Sequence, residues 1–371
     1  MQGLSIDGGP GRFPTVAPDP KDSSEDNVLM TDETITQLKV VDMHTAGEPV
    51  RIVIEGYPDL VGATILDKRR DAQTRHDALR RALMLEPRGH ADMYGVIPVA
   101  PSHAEAAFAA LFTHNEGYST MCGHATIALG KWLVESKRVA VVEPETRFAI
   151  ELPCGLVRLC CAVRDGRVVR TAFDSVPAFL AERDAAIDVP EFGAVTCDLA
   201  YGGAFYAVLP ASRLGLDFFE TPLERLVAAG KAITESGRRS LRITHPDAAD
   251  LGFLYGTILT DDAPVSEPTY NLCIFADGQV DRSPTGSGVT ARMAADHARG
   301  LIAPVQPTVA KVSITDPLAL ARAISPAVKF PAAEARNQVP ISSPAICGGA
   351  SRVIAASPVG DRHNSPSVWH R

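Results

Sequence analysis

Several classes of protein are excluded by what this 371-residue sequence lacks. No run of about 18 apolar residues occurs, and a membrane-spanning helix needs one. A net charge of −8 at pH 7 leaves no excess of basic groups to bind nucleic-acid phosphates. The first 20 residues have neither a basic start nor an apolar core, so we expect no secretory signal peptide. These absences predict a cytoplasmic protein that binds neither membranes nor nucleic acid.

Paired cysteines are also missing. The seven cysteines are odd in number and include no C-x-x-C pair. Disulfide-stabilised domains and structural zinc sites depend on such pairing or spacing. The sequence therefore predicts reduced thiols and no structural metal.

Composition divides the chain into four parts. Residues 1–36 mix Gly, Pro, Ser and acidic residues with few large apolar groups, which predicts a disordered tail. Regular patterning covers residues 37–185 and 186–300, which we interpret as two lobes. Residues 301–371 hold nine prolines and thirteen alanines with only two aromatic side chains. We expect this last segment to be poorly ordered.

The two patterned parts contain the same features in the same order. Asp42 stands five residues before Gly47, and Asp198 stands five before Gly203; a strand follows each glycine. Each part then has a short polar loop that leads directly into a helix, STMCGHATIALGKWLV in the first and DRSPTGSGVTARMA in the second. This order indicates an internal duplication, with the two loops meeting at one cleft.

An amphipathic helix is also predicted in each part. The first spans residues 67–84 and ends before Pro87. The second spans residues 221–236, with a capping box of Thr221 and Glu224 at its start and Gly237 at its end.

The loop that carries Cys122 has the properties of an anion site. The helix after it is apolar on nearly every face, so we expect it to be enclosed. A helix N-terminus offers unpaired N–H groups and a positive dipole end, which suit a carboxylate. The same position favours a thiolate, so we expect a lowered pKa for the Cys122 thiol, which would let it act as a base on a C–H bond.

Other interpretations of Cys122 remain open at this stage. One interpretation is that Cys122 is a small buried core residue, as most free cysteines are. A cysteine-protease site would need a histidine from elsewhere, because His124 is too close in sequence to be an obvious partner. A metal site formed with His124, His114 and His44 has the right residue types but no ordinary ligand spacing. Cys160, Cys161, Cys197 and Cys273 lie in apolar runs and are predicted to be core.

Five strings of the sequence closely resemble the proline racemase family: VDMHTAGEPVRIV, EPRGHADMYG, MCGHATIALG, DLAYGGAFYAV and DRSPTGSGVTAR. The resemblance covers about residues 38–300. It implies an α+β fold with two pseudo-symmetric lobes of the diaminopimelate-epimerase type, each a sheet wrapped round a central helix. It also implies a homodimer, a small-molecule substrate and no cofactor. Residues 301–371 match none of the strands that complete the second lobe in that family, so this segment is divergent.

The resemblance also suggests a branch of the family. Racemases and epimerases have a catalytic cysteine in each loop, whereas this chain has Cys122 in one and Thr285 in the other. That pair resembles the branch that dehydrates trans-3-hydroxy-L-proline to 1-pyrroline-2-carboxylate. A threonine hydroxyl is a poor base, but loss of water requires a base on only one face. The alternatives are a proline racemase or hydroxyproline epimerase, and a catalytically impaired variant that binds carboxylates.

Roles for individual residues follow from the same resemblance. Cys122 and Thr285 are expected to be catalytic, with no metal. Asp281 and the His124 side chain are expected to bind the substrate ring nitrogen, although Asp281 could be only a helix cap. Phe275 would form an apolar wall or belong to the ordinary core. Backbone N–H groups are expected to hold the carboxylate, and they come from Gly123, His124, Gly286 and Ser287.

Overall fold

A computed structural model describes residues 37–45, 47–263, 269–283 and 285–302, and the backbone of four strands at 308–312, 339–342, 352–356 and 359–361. The predicted N-terminal tail, 1–36, and most of the predicted C-terminal segment, 301–371, lie outside these residues, so both expectations stay predictions. The elements below all belong to one unit that begins at Leu38. Within the described residues, no helix is long and apolar enough to cross a bilayer.

The first half of the fold contains eight strands and three helices. In chain order these are β1 (Lys39–Thr45), β2 (Glu48–Glu55), α1 (Ile65–Arg75), α2 (Asp77–Met84), β3 (Tyr94–Val99), β4 (Ala106–His114), β5 (Tyr118–Ser119), α3 (Gly123–Glu135), β6 (Glu145–Leu152), β7 (Gly155–Arg164) and β8 (Arg167–Asp174).

The second half follows with ten strands, two helices and two short 3-10 turns, at Ala211–Leu214 and Ala249–Leu251. Its strands and helices are β9 (Phe179–Val189), β10 (Gly193–Tyr201), β11 (Phe205–Pro210), α4 (Leu223–Ser240), β12 (Leu254–Thr260), β13 (Thr269–Phe275), β14 (Gln279–Val280), α5 (Gly286–Ala298), β15 (Thr308–Val312), β16 (Val339–Ser342), β17 (Arg352–Ala356) and β18 (Val359–Asp361).

Strand pairing confirms the internal duplication. In the first half β1 and β2 form a hairpin, β2 pairs in parallel with β3, β3 pairs antiparallel with β4, and β4 pairs in parallel with β6. In the second half β10, β11, β12, β13 and β15 repeat these pairings in the same order. The glycines of the two repeated motifs, Gly47 and Gly203, have φ angles of 90° and 103°, which an L side chain rarely adopts.

The two halves are joined through their outer strands. β17 pairs with β8 and β18 pairs with β1, so strands near the end of the chain lie beside strands of the first half. β9 spans the predicted lobe boundary at 185/186 and pairs with β10. The lobe boundaries themselves remain a prediction.

The first amphipathic helix is two helices, which corrects the prediction of one helix over 67–84. A capping box of Thr64 and Asp67 begins α1, and His76 leaves the helical conformation with φ −127° and ψ 15°. The two helices bury different surfaces: Ile65 of α1 packs in one apolar cluster and Met84 of α2 in another. One straight helix could not present both side chains to these two clusters.

The limits of α4 also differ from the prediction. Pro222 precedes the helix without a side-chain capping bond, and the hydroxyl of Thr221 instead accepts a hydrogen bond from the Asp217 N–H at 3.0 Å. Gly237 does not end the helix. It lies inside α4 because a Cβ there would stand 2.6 Å from Leu254 Cδ2, so this glycine permits close helix–strand packing.

Two enclosed helices form the centre of the α+β fold. Nearly every residue of α3 is buried, as the sequence predicts, and its half-buried Lys131 pairs with Glu135. In α5 the buried Arg292 donates a hydrogen bond to Asn271 Oδ1 at 2.5 Å. Strands β1, β7 and β8 pack on α3, and strands β9, β10 and β11 pack on α5.

Candidate active site

The N-terminal ends of α3 and α5 touch each other. A Cβ atom on Gly123 would lie 2.9 Å from the Cα of Gly286, so glycine is required for this approach. Each helix end presents backbone N–H groups without helical partners and the positive end of its dipole. Two such ends at one point make a cradle suited to a carboxylate.

All eight residues proposed from the sequence line one cavity at this point. They are Cys122, Gly123, His124, Phe275, Asp281, Thr285, Gly286 and Ser287. The cavity holds about 10 Å³, which is room for about one water. A ring-sized ligand therefore requires its walls to move apart. The roles of these residues stay predictions.

Cys122 is the N-cap residue of α3, with its thiol directed into the cavity wall. Its sulfur accepts a hydrogen bond from the Ala125 N–H at 3.5 Å, as a helix cap does. Burial nevertheless raises the pKa of the Cys122 thiol well above its ordinary value, and the charge of Asp281 raises it further. The predicted lowering of this pKa is therefore wrong: desolvation outweighs the helix end at a residue that is 6% exposed.

His124 contacts Cys122 in spite of its closeness in sequence. Its Nδ1 lies 3.1 Å from the sulfur, so the objection that the two residues are too near to be partners is wrong. Burial lowers the pKa of His124 to about 4, and the ring also hydrogen-bonds the backbone of Pro49. We assign the single ring N–H of the neutral imidazole to the Pro49 carbonyl. The nitrogen nearest the sulfur is then an acceptor.

The loop before α5 is held by a buried ion pair. Arg282 donates to Glu48 Oε2 from its backbone N–H at 3.0 Å and from Nε at 3.1 Å. Glu48 is 1% exposed, and burial raises its pKa, with the charge of Asp281 as the second cause. The pair thus ties the start of β2 to the loop of the other half. Asp281 itself accepts from the Ser283 N–H at 2.8 Å and is not the N-cap of α5.

Thr285 takes an unusual backbone conformation at the start of α5. Its φ of 51° and ψ of 69° lie in the left-handed region, which is rare for a β-branched residue. The Ser283 hydroxyl accepts from its N–H at 3.2 Å, and Thr285 lines the cavity together with Cys273. Cys273 is buried, as predicted, but it lines the cavity and is not only core.

Aromatic side chains form most of the remaining wall. Phe275 stacks on Tyr255 with ring centroids 5.5 Å apart, and the hydroxyl of Tyr206 bonds that of Ser287 at 2.7 Å. The sequence reasoning missed five residues that line the cavity: Tyr94, Met121, Tyr206, Tyr255 and Cys273. The sequence did contain a signal for Tyr94 and Tyr255. Each is followed by a glycine, at or one residue after the start of the equivalent strands β3 and β12.

No metal cluster accompanies these groups among the residues with described side chains. His114, which the sequence allowed as a ligand, instead packs edge-on against Phe275 at 5.9 Å.

A thiol and a hydroxyl beside two helix N-termini that suit a carboxylate are groups able to move a proton at a carbon next to that carboxylate. The family model described as "Proline racemase" matches residues 40–319. The chain belongs to the proline racemase family.

The chain is also similar to individual proteins with named activities. The chain is 53% identical over 268 residues to a trans-L-3-hydroxyproline dehydratase of Xenopus tropicalis, covering 71% of this chain and 77% of the relative. It is 52% identical over 273 residues to the trans-3-hydroxy-L-proline dehydratase of Homo sapiens, with the same coverage. Among solved structures, a hydroxyproline epimerase from Agrobacterium vitis with bound trans-4-OH-L-proline has a TM-score of 0.73 and 25% identity, covering 87% of this chain and 92% of that one.

Proposed function

We propose that this chain removes water from trans-3-hydroxy-L-proline and yields 1-pyrroline-2-carboxylate without a cofactor. The observation that carries the proposal is the unequal pair at the cradle, with the Cys122 thiol on the α3 side and the Thr285 hydroxyl on the α5 side. A thiol is a usable base for a Cα proton and a threonine hydroxyl is not. The names of the relatives support the same reaction.

Substrate binding uses the cradle and one carboxylate. Backbone N–H groups of Gly123, His124, Gly286 and Ser287 hold the substrate carboxylate. Asp281 holds the ring nitrogen in its protonated form, because the His124 ring is already occupied by Cys122 and Pro49. The positive nitrogen next to Cα makes removal of the Cα proton easier. It also lies close enough to favour the Cys122 thiolate, which opposes the effect of burial.

Stereochemistry explains why one thiol is sufficient. In trans-3-hydroxy-L-proline the hydroxyl is trans to the carboxylate, so the Cα–H and the hydroxyl are on the same face of the ring. The Cys122 thiolate takes the Cα proton, the C–H electron pair forms the ring double bond, and the C3–O bond breaks. One proton is returned to the departing oxygen, so that water leaves and the thiolate is restored. The enamine then tautomerises to 1-pyrroline-2-carboxylate.

Epimerisation is the second candidate, and one observation favours it. Cys273 lines the cavity together with Thr285, so a second thiol exists on the far side. Burial raises the pKa of Cys273 as it raises that of Cys122, but Cys273 lies in a strand and has no helix N-terminus to favour its thiolate.

The test is turnover by the full chain with trans-3-hydroxy-L-proline, followed by mass spectrometry for loss of one water. Chiral chromatography of the recovered amino acid detects epimerisation in the same sample. Calorimetric titration with pyrrole-2-carboxylate, a planar mimic of the deprotonated ring, measures binding. Dehydration without epimerisation supports the proposal. Epimerisation favours the second candidate, and binding without turnover identifies an impaired carboxylate-binding variant.

We also propose that the chain works as a cytoplasmic homodimer on this small-molecule substrate. The six cysteines with described side chains are all free thiols, which fits a reducing compartment. Light scattering of the purified chain tests the dimer, for which we expect twice the mass of one chain.

A further inference from the structure

The hydroxyl of Tyr94 lies at the Cys122 side of the cavity, among protic groups that the reaction above does not use. It hydrogen-bonds Ser119 Oγ, and Cys122 and Tyr255 are its neighbours in the wall of the same cavity. The Tyr94 side chain is 2% exposed, and its ring meets the His124 ring edge-on at 4.9 Å. A buried phenol in such a setting has a fixed orientation.

The chemistry of the sulfur decides how the phenol proton is used. A thiolate has no proton to donate, so between Tyr94 and Cys122 only the Tyr94 O–H can act as donor. Ser119 then donates to the Tyr94 oxygen. This arrangement aims the phenol proton at the face of the cavity from which Cys122 removes the Cα proton.

The proposed elimination needs a proton on the departing oxygen, because hydroxide is a poor leaving group. That oxygen leaves from the same ring face as the Cα proton, so the donor must lie beside the Cys122 sulfur. The His124 nitrogen nearest the sulfur carries no proton in the tautomer assigned above. Thr285 and Ser287 belong to the opposite helix end. Of the three phenols in the cavity wall, Tyr206 bonds Ser287 and Tyr255 stacks on Phe275, whereas the Tyr94 ring contacts His124 beside the sulfur.

We propose that Tyr94 is a catalytic acid that protonates the C3 oxygen of the substrate, an inference that rests on the proposed dehydration. The Tyr94 O–H proton passes to the oxygen as the C3–O bond breaks, and water forms. The proton that Cys122 took from Cα then moves to the neighbouring Tyr94 oxygen. The thiolate and the phenol are both restored, and the only net change is the loss of one water.

The surroundings of Tyr94 suit this role. Burial raises its pKa well above the ordinary tyrosine value, with the neighbouring Cys122 as the next cause, so the phenol keeps its proton until the oxygen departs. If the Tyr94 hydroxyl only held Cys122 in place, its removal would slow both proton removal and loss of water. If Tyr94 is an acid, its removal slows loss of water alone.

The experiment separates these two roles with Tyr94→Phe in the full chain, incubated with trans-3-hydroxy-L-proline in D2O. We expect dehydration to fall about 10²–10⁴-fold, as for loss of a general acid. The recovered substrate should contain deuterium at Cα, because Cys122 still removes the proton and returns deuterium when the oxygen cannot leave.

Tyr118→Phe is the matched control. It also removes a buried phenol hydroxyl, one that donates to the Ala72 carbonyl at 3.1 Å, and it should keep wild-type turnover. Binding of pyrrole-2-carboxylate to Tyr94→Phe shows that the cavity is intact.

Two results overturn the proposal: unchanged dehydration by Tyr94→Phe, or lost dehydration with no deuterium in the recovered substrate. The second would make Tyr94 a positioning residue for Cys122. Absence of dehydration in the wild-type chain would instead contradict the proposed function itself.

Discussion

Two opposing effects act on the pKa of the Cys122 thiol. The N-terminus of α3 favours a thiolate, whereas burial and the charge of Asp281 favour the thiol, and burial is the larger effect. The resting enzyme therefore holds a protonated cysteine next to a neutral His124. In the proposed reaction the substrate brings a positive nitrogen into the cavity, so we expect activation of Cys122 as the base to depend on binding.

Replacement of the base tests its role directly. Cys122→Ser should lower kcat for dehydration about 10²–10⁴-fold, because a serine hydroxyl is a far weaker base than a thiol. Binding of pyrrole-2-carboxylate should change little, because backbone N–H groups form the cradle. Calorimetry and a turnover assay on one preparation check both statements, and wild-type turnover by the variant would rule out Cys122 as the base.

The raised pKa of the Cys122 thiol gives a pH dependence with a definite sign. The active form is the thiolate, and a raised pKa in the free enzyme means that this form increases as pH rises. We expect kcat/KM to increase about tenfold per pH unit through neutral pH, since kcat/KM reports groups of the free enzyme. A plateau that begins below neutral pH would show that the thiolate is already formed, with its proton on His124.

At the scale of elements, the contact between α3 and α5 depends on two glycines. In Gly123→Ala the new Cβ would meet backbone of Gly286 at 2.9 Å, and neither helix can yield without moving against its sheet. We expect a loss of about 1–3 kcal/mol in stability from overpacking. Activity should fall on the order of 10²-fold, since a small misplacement of reacting groups is costly.

A matched control exists for this glycine. A Cβ on Gly117 would meet only His114 Cε1, at 4.0 Å, and its φ is not in the left-handed region. Gly117→Ala should therefore keep both stability and activity. Thermal unfolding and turnover measure the two variants side by side. Equal stability and activity of Gly123→Ala and Gly117→Ala would show that the helix ends do not need this close approach.

The ion pair between Glu48 and Arg282 links β2 to the loop that carries Asp281 and Thr285. Glu48→Gln should destabilise the chain by about 1–4 kcal/mol, since the carboxylate is buried while Arg282 keeps some exposure. A double-mutant cycle with Arg282→Gln, measured by urea unfolding, should give a coupling energy of about 1–3 kcal/mol. A coupling near zero would mean that the pair does not hold the loop.

The first and last residues of helices were the features of the elements that sequence patterns predicted wrongly. Gly237 has the residue type of a helix C-terminus, yet it serves the close contact with Leu254 inside α4. His76 interrupts an unbroken apolar pattern because α1 and α2 pack in different clusters. Both features depend on residues far away in the sequence, so neither local pattern could reveal them.

At the scale of the whole molecule, the duplicated order of strands and loops could be predicted because each half repeats short motifs. The same motifs located eight residues of the cavity, since they lie in the two loops or just before one of them. Tyr94, Tyr206 and Tyr255 could not be found in this way. They lie within apolar strands, where a tyrosine that faces a cavity looks the same as one in the core.

The reaction itself is tested most directly by one incubation of the full wild-type chain with trans-3-hydroxy-L-proline in D2O, followed by chiral separation and mass spectrometry. With Cys122 as the only effective base, the products should be 1-pyrroline-2-carboxylate and water, and no stereoisomer of the substrate should form. A stereoisomer that carries deuterium at Cα would show protonation from the Thr285 side of the cavity. That result would contradict a one-base dehydratase and assign the chain to the epimerases.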